Sequence, residues 1–202
     1  MESKFLVQNP DVKLEDVRKD LYGNRCTGRG ADTAAGRGYN VERLAKAVFE
    51  SYGFFVLSSH EDSWFDTFVS ESPGCLRIEC KSCVYRYPSG AFGRFRIWRK
   101  NHRLLLGMNK AWAEDDKDYL YFFVVYTIED GVEKEVGKLV TTVEQVDDIV
   151  DDWSLRDHPS MGQEFARDIS WNMLLSELDI SRETFKEQNL VNTTCEKSEN
   201  SL

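Results

Sequence analysis

The sequence predicts an α/β fold in which a mixed β-sheet is flanked by helices. An amphipathic helical pattern at 39–52 is followed by short apolar runs with the character of strands. The run at 119–128 is apolar or aromatic at nearly every position, which indicates a central strand buried on both faces. The order of helix, three strands, a fourth strand, a second helix and another strand is typical of a sheet with helices packed against it. The fourth strand is predicted at 94–98, where basic and apolar residues alternate, and the second helix begins with the basic residues Arg99, Lys100, His102 and Arg103.

Length and composition point to a folded intracellular protein. With 202 residues, 41% of them hydrophobic and 12% aromatic, the chain is long enough for one domain plus an appendage. It contains no run of about 18 apolar residues and no N-terminal signal pattern, so we expect a cytoplasmic protein without a membrane span. The five cysteines are an odd number, which favours reduced thiols, and Cys80 and Cys83 have no second pair to complete a zinc site.

The N-terminal part, residues 1–36, is predicted to be a short helix and a flexible basic linker. Apolar residues among charges at 12–22 indicate an amphipathic helix. The segment 23–38 contains five glycines and three arginines, Arg37 among them. It is either a simple linker or a mobile basic loop that becomes ordered on DNA, since arginines in such loops contact phosphates.

The helix predicted at 39–52 has a clear buried stripe. Asn40 is a suitable N-cap, and Gly53 is a suitable residue at which the helix stops. Glu42 falls in the first turn, at the edge of the stripe. It either compensates the helix dipole or brings a carboxylate towards a metal site formed by the strands that follow.

Two acids and a lysine lie on the next pair of predicted strands. Asp66 precedes one strand, and after a turn at 72–74 the second strand carries Glu79 and Lys81. Because Glu79 and Lys81 are two residues apart, their side chains point to the same face. Two acids can hold a hard divalent cation, and the lysine can orient or help deprotonate a water molecule that attacks a phosphodiester. The alternative is structural, with an Asp that forms a turn and a Glu–Lys ion pair on a solvated strand.

These residues resemble a known motif. The chain is similar to the PD-(D/E)XK nuclease superfamily in a helix glutamate and a strand motif: Glu42, Asp66, Glu79, Cys80 and Lys81. Residues 38–44 look like the opening of the archaeal Holliday junction resolvase branch. Phe65 stands where the family motif is named for proline. The resemblance covers residues 37–126 and implies a restriction-endonuclease-like fold.

The resemblance also implies a metal-dependent DNA endonuclease, a Holliday junction resolvase of DNA recombination and repair. It implies Mg²⁺, with Mn²⁺ as the alternative, held by Asp66, Glu79, the main-chain carbonyl of Cys80 and, directly or through water, Glu42. The implied catalytic residues are Glu42, Asp66, Glu79 and Lys81, with Lys81 positioning the attacking water. A resolvase cuts two strands symmetrically, so a homodimer acting on branched DNA is implied as well.

Basic charge is concentrated directly after this strand. The chain has a formal net charge of −9, but residues 76–110 contain nine Lys or Arg and one acidic residue. Such a segment suits a phosphate backbone, to which basic side chains give affinity without sequence information. The residues expected to bind nucleic acid are Arg37, Ser82, Arg94, Arg96, Arg99, Lys100 and Arg103.

From residue 142 apolar residues recur at helical spacing. We predict a helical C-terminal extension at 142–188, behind a nuclease core at 37–141, with Ser181 as a suitable cap for its last short helix. The polar tail at 189–202 is predicted to be disordered. The acidic excess outside the basic segment indicates either an acidic appendage, facing a partner or solvent, or the acidic surface of a halophilic protein.

Two alternative functions fit the same residues. A restriction, repair or viral nuclease with the same catalytic core would carry identical side chains at these positions. A catalytically silent nucleic-acid-binding module could share the fold. An interaction protein with the acidic C-terminal half as its surface would leave the basic segment 76–110 unexplained.

Overall fold

The computed structural model describes residues 12–17, 34–52, 55–58, 67–70, 75–111, 117–158 and 162–188. Its helices are α1 (Leu14–Val17), α2 (Ala34–Ser51), α3 (Arg99–Ala111), α4 (Val143–Asp147), α5 (Trp171–Glu177) and α6 (Arg182–Gln188). Its strands are β1 (Phe55–Ser58), β2 (Thr67–Ser70), β3 (Cys75–Val84), β4 (Arg94–Trp98), β5 (Lys117–Glu129), β6 (Val132–Thr142), β7 (Ser154–His158) and β8 (Gly162–Ser170).

A five-stranded mixed sheet confirms the predicted α/β fold. Its strand order is β1-β2-β3-β5-β6. β3 and β5 run parallel, and the other neighbouring strands run antiparallel. Because α3 connects β3 and β5 through β4, the parallel pair is built as a crossover with a helix on one face of the sheet.

One face of this sheet is covered by α2 and α1. Val41, Leu44 and Val48 of α2 form a buried cluster with Ile78 and Cys80 of β3. The cluster continues across β5 and β6 and includes α1. The helical stripe predicted from the sequence is therefore the packing surface of α2.

The helix α2 begins at Ala34, earlier than expected. Residues 34–36 belong to this helix and not to a linker, and Asn40 is not its N-cap but lies within it, 2% exposed. Each of the two glycines at 36 and 38 lowers helix stability by about 1 kcal/mol. Adding residues to an existing helix is nevertheless easier than starting one, and alanine favours the helix most. Residues 18–33, the rest of the predicted N-terminal helix and linker, lie outside the described residues.

The opposite face of the sheet is covered by α3 and by a second, three-stranded sheet. β8 lies between β4 and β7 and pairs antiparallel with both. Phe95 and Ile97 of β4 and Ile169 of β8 face inwards and cluster with Tyr121 and Phe123 of β5. Exposed and buried residues alternate along β4, which confirms the strand predicted there.

The C-terminal extension is not entirely helical, as the sequence had suggested. Phe165 and Ile169 lie in β8, so the helix predicted through them is wrong. These two residues are four apart, which fits a helical turn, but with Arg167 between them they also fit the two-residue period of a strand. Pairing of Phe165 with β7 and of Ile169 with β4, which is distant in the sequence, decides between the two patterns.

Three short helices are found where helices were predicted after residue 142. Thr142 begins α4 with a capping box, in which its side chain and that of Gln145 each bind the other's backbone N–H. The hydroxyl of Ser181 accepts a hydrogen bond from the backbone N–H of Thr184 at 3.0 Å, so Ser181 begins α6 as expected.

The segment after residue 142 shares its core with the five-stranded sheet. The buried cluster on the α3 side includes residues of β5 together with residues of α4, α5 and α6. None of the helices in the described ranges is long and apolar enough to cross a membrane. The tail predicted to be disordered, 189–202, lies outside the described residues.

Candidate active site

Glu79 and Lys81 lie together on β3, as predicted. The register between β3 and β5 is continuous from Cys75 to Val84, so side chains along β3 alternate between the two faces without a bulge. The ammonium group of Lys81 donates a hydrogen bond to Glu79 Oε1. Glu79 is 4% exposed and Lys81 is half-buried, so the pair lies in a recess and not on an open strand.

Within the described residues, the pair lies just beyond the end of β2. β2 pairs with β3 only as far as Ile78, whose partner is Thr67, whereas β5 follows β3 to Val84. From Glu79 onwards, β3 has no strand neighbour on the β2 side within the described part of the chain. Asp66 lies outside the described residues, so its role as metal ligand and catalytic residue stays a prediction.

Glu42 and Cys80 lie on the other side of β3. Glu42 is in the third turn of α2, so compensation of the helix dipole at the N-terminus does not explain it. It is half-buried, and α2 packs against the face of β3 that carries Cys80. Because neighbouring residues of a strand point to opposite faces, Ser82 also points to this side, away from Lys81. The roles predicted for Glu42 and the Cys80 carbonyl stay predictions.

A buried histidine stands beside the site. His102 of α3 is 1% exposed, and its Nδ1 lies 3.0 Å from the hydroxyl of Tyr121. Its Nε2 lies 3.1 Å from Oδ1 of Asp147. Tyr121 is the register partner of Glu79 on β5, and the two side chains are on the same face of the sheet. Burial lowers the pKa of His102, against the raising effect of Asp147.

Sequence reasoning placed His102 among the basic residues at the start of α3. Its three-residue spacing from the buried Leu105 was the available signal that it faces inwards. Nothing in the sequence connected it with Asp147, which lies 45 residues further along the chain.

Two of the predicted DNA-binding arginines lie on the outer face of the second sheet. Arg94 and Arg96 are both exposed, on the opposite side of β4 from the buried Phe95. Arg96 is bound by Asp168 through two hydrogen bonds, Nε to Oδ1 at 2.7 Å and NH2 to Oδ2 at 3.0 Å. This hydrogen-bonded Arg96 lowers the pKa of Asp168. The charge of Arg96 is thus largely neutralised within the protein.

The other predicted basic residues form a group at the start of α3. Arg99, Lys100 and Arg103 line a surface depression of about 390 Å³, with Leu104 and Glu164. The guanidinium of Arg99 lies 3.9 Å above the ring centre of Phe165, which fixes its position. Arg37 lies in α2, but its side chain is outside the described part of the chain.

The donor atoms of the site suit a hard divalent cation. The carboxylate of Glu79 is an oxygen ligand of the kind that Mg²⁺ prefers. Burial raises the pKa of the Cys83 thiol, which shares a face with Glu79, so no thiolate competes there at neutral pH. Within the described ranges no three His, Cys, Asp or Glu side chains are grouped closely enough to hold a metal ion. The further ligand predicted from a strand, Asp66, lies outside those ranges.

Comparisons with known proteins found one matching family model and a similar solved structure. A family model described as PD-(D/E)XK nuclease superfamily domain matches residues 31–175, from the residues before α2 into α5. No curated protein matches the sequence. Among solved structures, the chain is similar to Hjc of Archaeoglobus fulgidus, a Holliday junction resolvase from an archaeal hyperthermophile. That match has 10% sequence identity and a TM-score of 0.41, and covers 68% of this chain and 87% of the other.

Proposed function

Since the chain belongs to the PD-(D/E)XK nuclease superfamily, we propose that it is a metal-dependent endonuclease that hydrolyses phosphodiester bonds in DNA. The observation that carries the proposal is the Glu79–Lys81 pair, recessed on β3 just beyond its described pairing with β2. A carboxylate and an ammonium group side by side provide a cation ligand and a hydrogen-bond donor for the attacking water or the phosphate.

Chain connectivity supports the inclusion of Asp66. Thr67 is the register partner of Ile78, the residue directly before Glu79. Asp66 directly precedes Thr67 in the sequence, one residue from this pairing. Glu79 and Asp66, with the carbonyl of Cys80 and with Glu42, would hold Mg²⁺ or Mn²⁺. The bound ion supplies Lewis acidity and lowers the pKa of a coordinated water.

The basic residues that we propose as DNA contacts contribute unequally to the binding affinity. Arg94, Arg99, Lys100 and Arg103 have exposed or half-exposed side chains, and we assign to them the neutralisation of backbone phosphates. Arg96 contributes less, because its guanidinium is occupied by Asp168. Arg37 remains a predicted contact, and the contact predicted for Ser82 would have to be made from the face of β3 opposite to Lys81.

We propose a four-way junction as the substrate and a homodimer as the active form, within the cell. The resemblance of residues 38–44 to junction resolvases supports this substrate. Two symmetrical cuts across a junction require two active sites related by a two-fold axis, which a homodimer provides.

Cleavage of labelled DNA tests the proposal. A four-way junction and a matched linear duplex are incubated with wild-type protein in Mg²⁺, in Mn²⁺ and in EDTA, at low and at molar salt. Glu79→Gln and Lys81→Ala are each expected to reduce the cleavage rate by at least ~100-fold, because each removes electrostatic stabilisation of the reaction. Glu50→Gln, which breaks an exposed ion pair with Lys46 on α2, is the matched control and should cleave normally.

Each outcome decides between functions. Paired, metal-dependent cuts near the crossover that disappear in Glu79→Gln establish a resolvase. If the linear duplex is cut at the same rate, the protein is a nuclease but the junction is not its specific substrate. Folded protein that binds DNA but cuts neither substrate at any salt concentration is a binding module, and the proposed hydrolysis is then wrong.

A further inference from the structure

Three basic side chains lie over aromatic rings at the end of the molecule where β3 finishes. The guanidinium of Arg86 lies 4.3 Å from the ring centre of Phe92, and that of Arg182 lies 4.8 Å from the same ring. The ammonium of Lys186 lies 5.1 Å from the ring centre of Tyr85. We call this group the cationic platform; it consists of Arg86, Arg182 and Lys186 over Tyr85, Phe92 and Trp171.

Distant parts of the chain build the platform. Arg86 and Phe92 face each other across the turn that joins β3 to β4. Trp171 is stacked on Tyr85 at 5.0 Å, and its indole N–H donates to the Tyr85 carbonyl at 2.8 Å. The helix α6 is held by Phe185, which is 2% exposed and stacks on Trp171. The packing of Phe185 on Trp171 therefore holds α6, and with it Arg182 and Lys186, in place.

The platform residues differ from many other basic residues of this protein. Within the described ranges Arg86, Arg182 and Lys186 are exposed and form no ion pair with a carboxylate. Arg86 donates to the carbonyl of Gly90, and Arg182 donates to the side chain of Asn172. These partners are neutral, so they orient the guanidinium groups without cancelling their charge.

The absence of acidic partners is unusual in a chain of this charge. The protein has 35 acidic residues against 26 Lys and Arg. Elsewhere Asp168 lies close to both Arg96 and Arg156, and Glu135 binds Lys138. Asp179 and Glu183 line a surface depression together with Arg182. Within the described residues neither forms an ion pair with it, so three basic side chains without a paired carboxylate indicate a binding surface for an anion.

The position of the platform connects it with the proposed active site. Tyr85 is four residues after Lys81, and its N–H bonds to Tyr126 O at 2.7 Å, which continues the pairing of β3 with β5. At ~3.3 Å per residue the two lie ~13 Å apart. That distance is the rise of about four base pairs in a duplex. On the other side, Phe92 is two residues from Arg94, so the platform extends the outer basic face of β4.

We propose that the cationic platform binds the phosphate backbone of duplex DNA on one side of the cleavage site, about four base pairs away. This inference rests on the proposed function and adds a DNA-binding surface to the basic residues of α3. Backbone contacts of this kind raise affinity and fix the position of the duplex, and they carry no sequence information.

The test is the salt dependence of DNA binding in EDTA, where no cleavage occurs. The platform variant carries Arg86→Gln, Arg182→Gln and Lys186→Gln. The control variant, Lys13→Gln, Lys46→Gln and Lys134→Gln, has the same change in net charge on other surfaces of the protein. The slope of log K against log salt is negative, and each lost phosphate contact makes it less steep by ~0.9. The slope of the platform variant should therefore be less steep than that of the wild type by about two to three units, and the slope of the control by less than about one unit.

Further variants separate binding from folding. Arg86→Lys and Arg182→Lys keep the charge and are expected to restore most of the slope. If the triple variant is unfolded by circular dichroism, the single variants Arg86→Gln and Lys186→Gln are measured instead, and each should lose about 0.9 of slope.

The outcomes separate this inference from the proposed function. If the wild-type protein cleaves DNA but the platform and control variants have equal slopes, the platform does not bind DNA and the proposed nuclease activity stands. Wild-type protein that neither binds nor cleaves DNA overturns the proposed function, and the platform with it. A platform slope reduced by two to three units supports the inference.

Discussion

At the scale of single residues, His102 has an environment unlike that of its neighbours in the sequence. Arg99, Lys100 and Arg103 form a basic surface, whereas His102 is buried and hydrogen-bonded by Tyr121 and Asp147. The lowered pKa keeps the imidazole neutral at pH 7. An ionised Asp147 only accepts hydrogen bonds, so Nε2 carries the proton and donates to it, and Nδ1 accepts from the Tyr121 hydroxyl. The ring thereby fixes Tyr121 beside Glu79.

This environment predicts a pH-dependent stability. The folded pKa of His102 lies below its usual 6.5, so on acidification the unfolded chain binds the proton first. The contribution of His102 is complete above pH 6.5 and decreases as the pH falls towards the folded pKa. Urea denaturation between pH 5 and pH 8 should show a free energy of unfolding that rises with pH, and His102→Gln should lose this component.

Asp147→Asn is the matched variant for that experiment. The carboxylate of Asp147 raises the pKa of His102, so its removal lowers the folded pKa further and extends the pH range over which stability changes. Identical pH profiles for wild type, His102→Gln and Asp147→Asn would show that His102 titrates equally in both states.

The residue scale also shows which parts of the site were predictable. Glu79 and Lys81 could be placed together because alternation along a strand is a local property of the chain. The same alternation puts Ser82 on the opposite face, away from the proposed phosphate position. The bond between Arg96 and Asp168 joins residues 72 apart, and no local pattern predicts which carboxylate neutralises an arginine.

At the scale of elements, the contact between β3 and β4 depends on Gly93. A side chain there would overlap the backbone carbonyl of Val84, which cannot move without disturbing β3. The glycine N–H donates to the carbonyl of Tyr85 at 3.3 Å, and its carbonyl accepts from Trp171 at 3.1 Å. The close approach therefore connects both sheets at the place where the cationic platform lies.

We expect Gly93→Ala to lower the free energy of unfolding by about 1–3 kcal/mol, because overpacking moves backbone or side chains from their favoured positions. Gly107→Ala is the control, since nothing lies within 4 Å of an added Cβ on α3. It should raise stability by up to ~1 kcal/mol, the difference in helix propensity. Urea denaturation measures both, and equal effects would contradict the close contact at Gly93.

The second sheet could be predicted from the sequence only in part. The strand β4 was predicted from its alternation of basic and apolar residues, but its partner β8 was predicted as a helix. The pattern of β8 fits both periods, and its strand form depends on pairing with β7, which is close in the sequence, and with residues of β4 about 70 positions away. Strand pairing determined the outcome, and the part of it made with β4 is long-range, which loop closure makes costly and local patterns do not reveal.

At the scale of the whole molecule, the acidic net charge and the proposed affinity for DNA are compatible because charge is unevenly distributed. Basic groups that form no ion pair within the described residues are found at the start of α3, where Glu164 lies beside them, and on the cationic platform. Both lie on the side of the main sheet that carries Glu79 and Lys81. Acidic surfaces elsewhere repel the backbone, so we expect DNA to bind in one orientation.

The proposed homodimer leads to the last prediction. Sedimentation analysis of the protein should give a mass near that of two chains of 23.4 kDa. Wild-type protein and Glu79→Gln are then unfolded together, refolded and tested on a four-way junction under single-turnover conditions. A mixed dimer has one functional site, so junctions nicked on one strand should accumulate as the inactive fraction rises, whereas wild-type dimers produce paired cuts. A monomeric protein that makes independent single cuts at every ratio would contradict the dimer and place the chain among nucleases that cut one strand at a time.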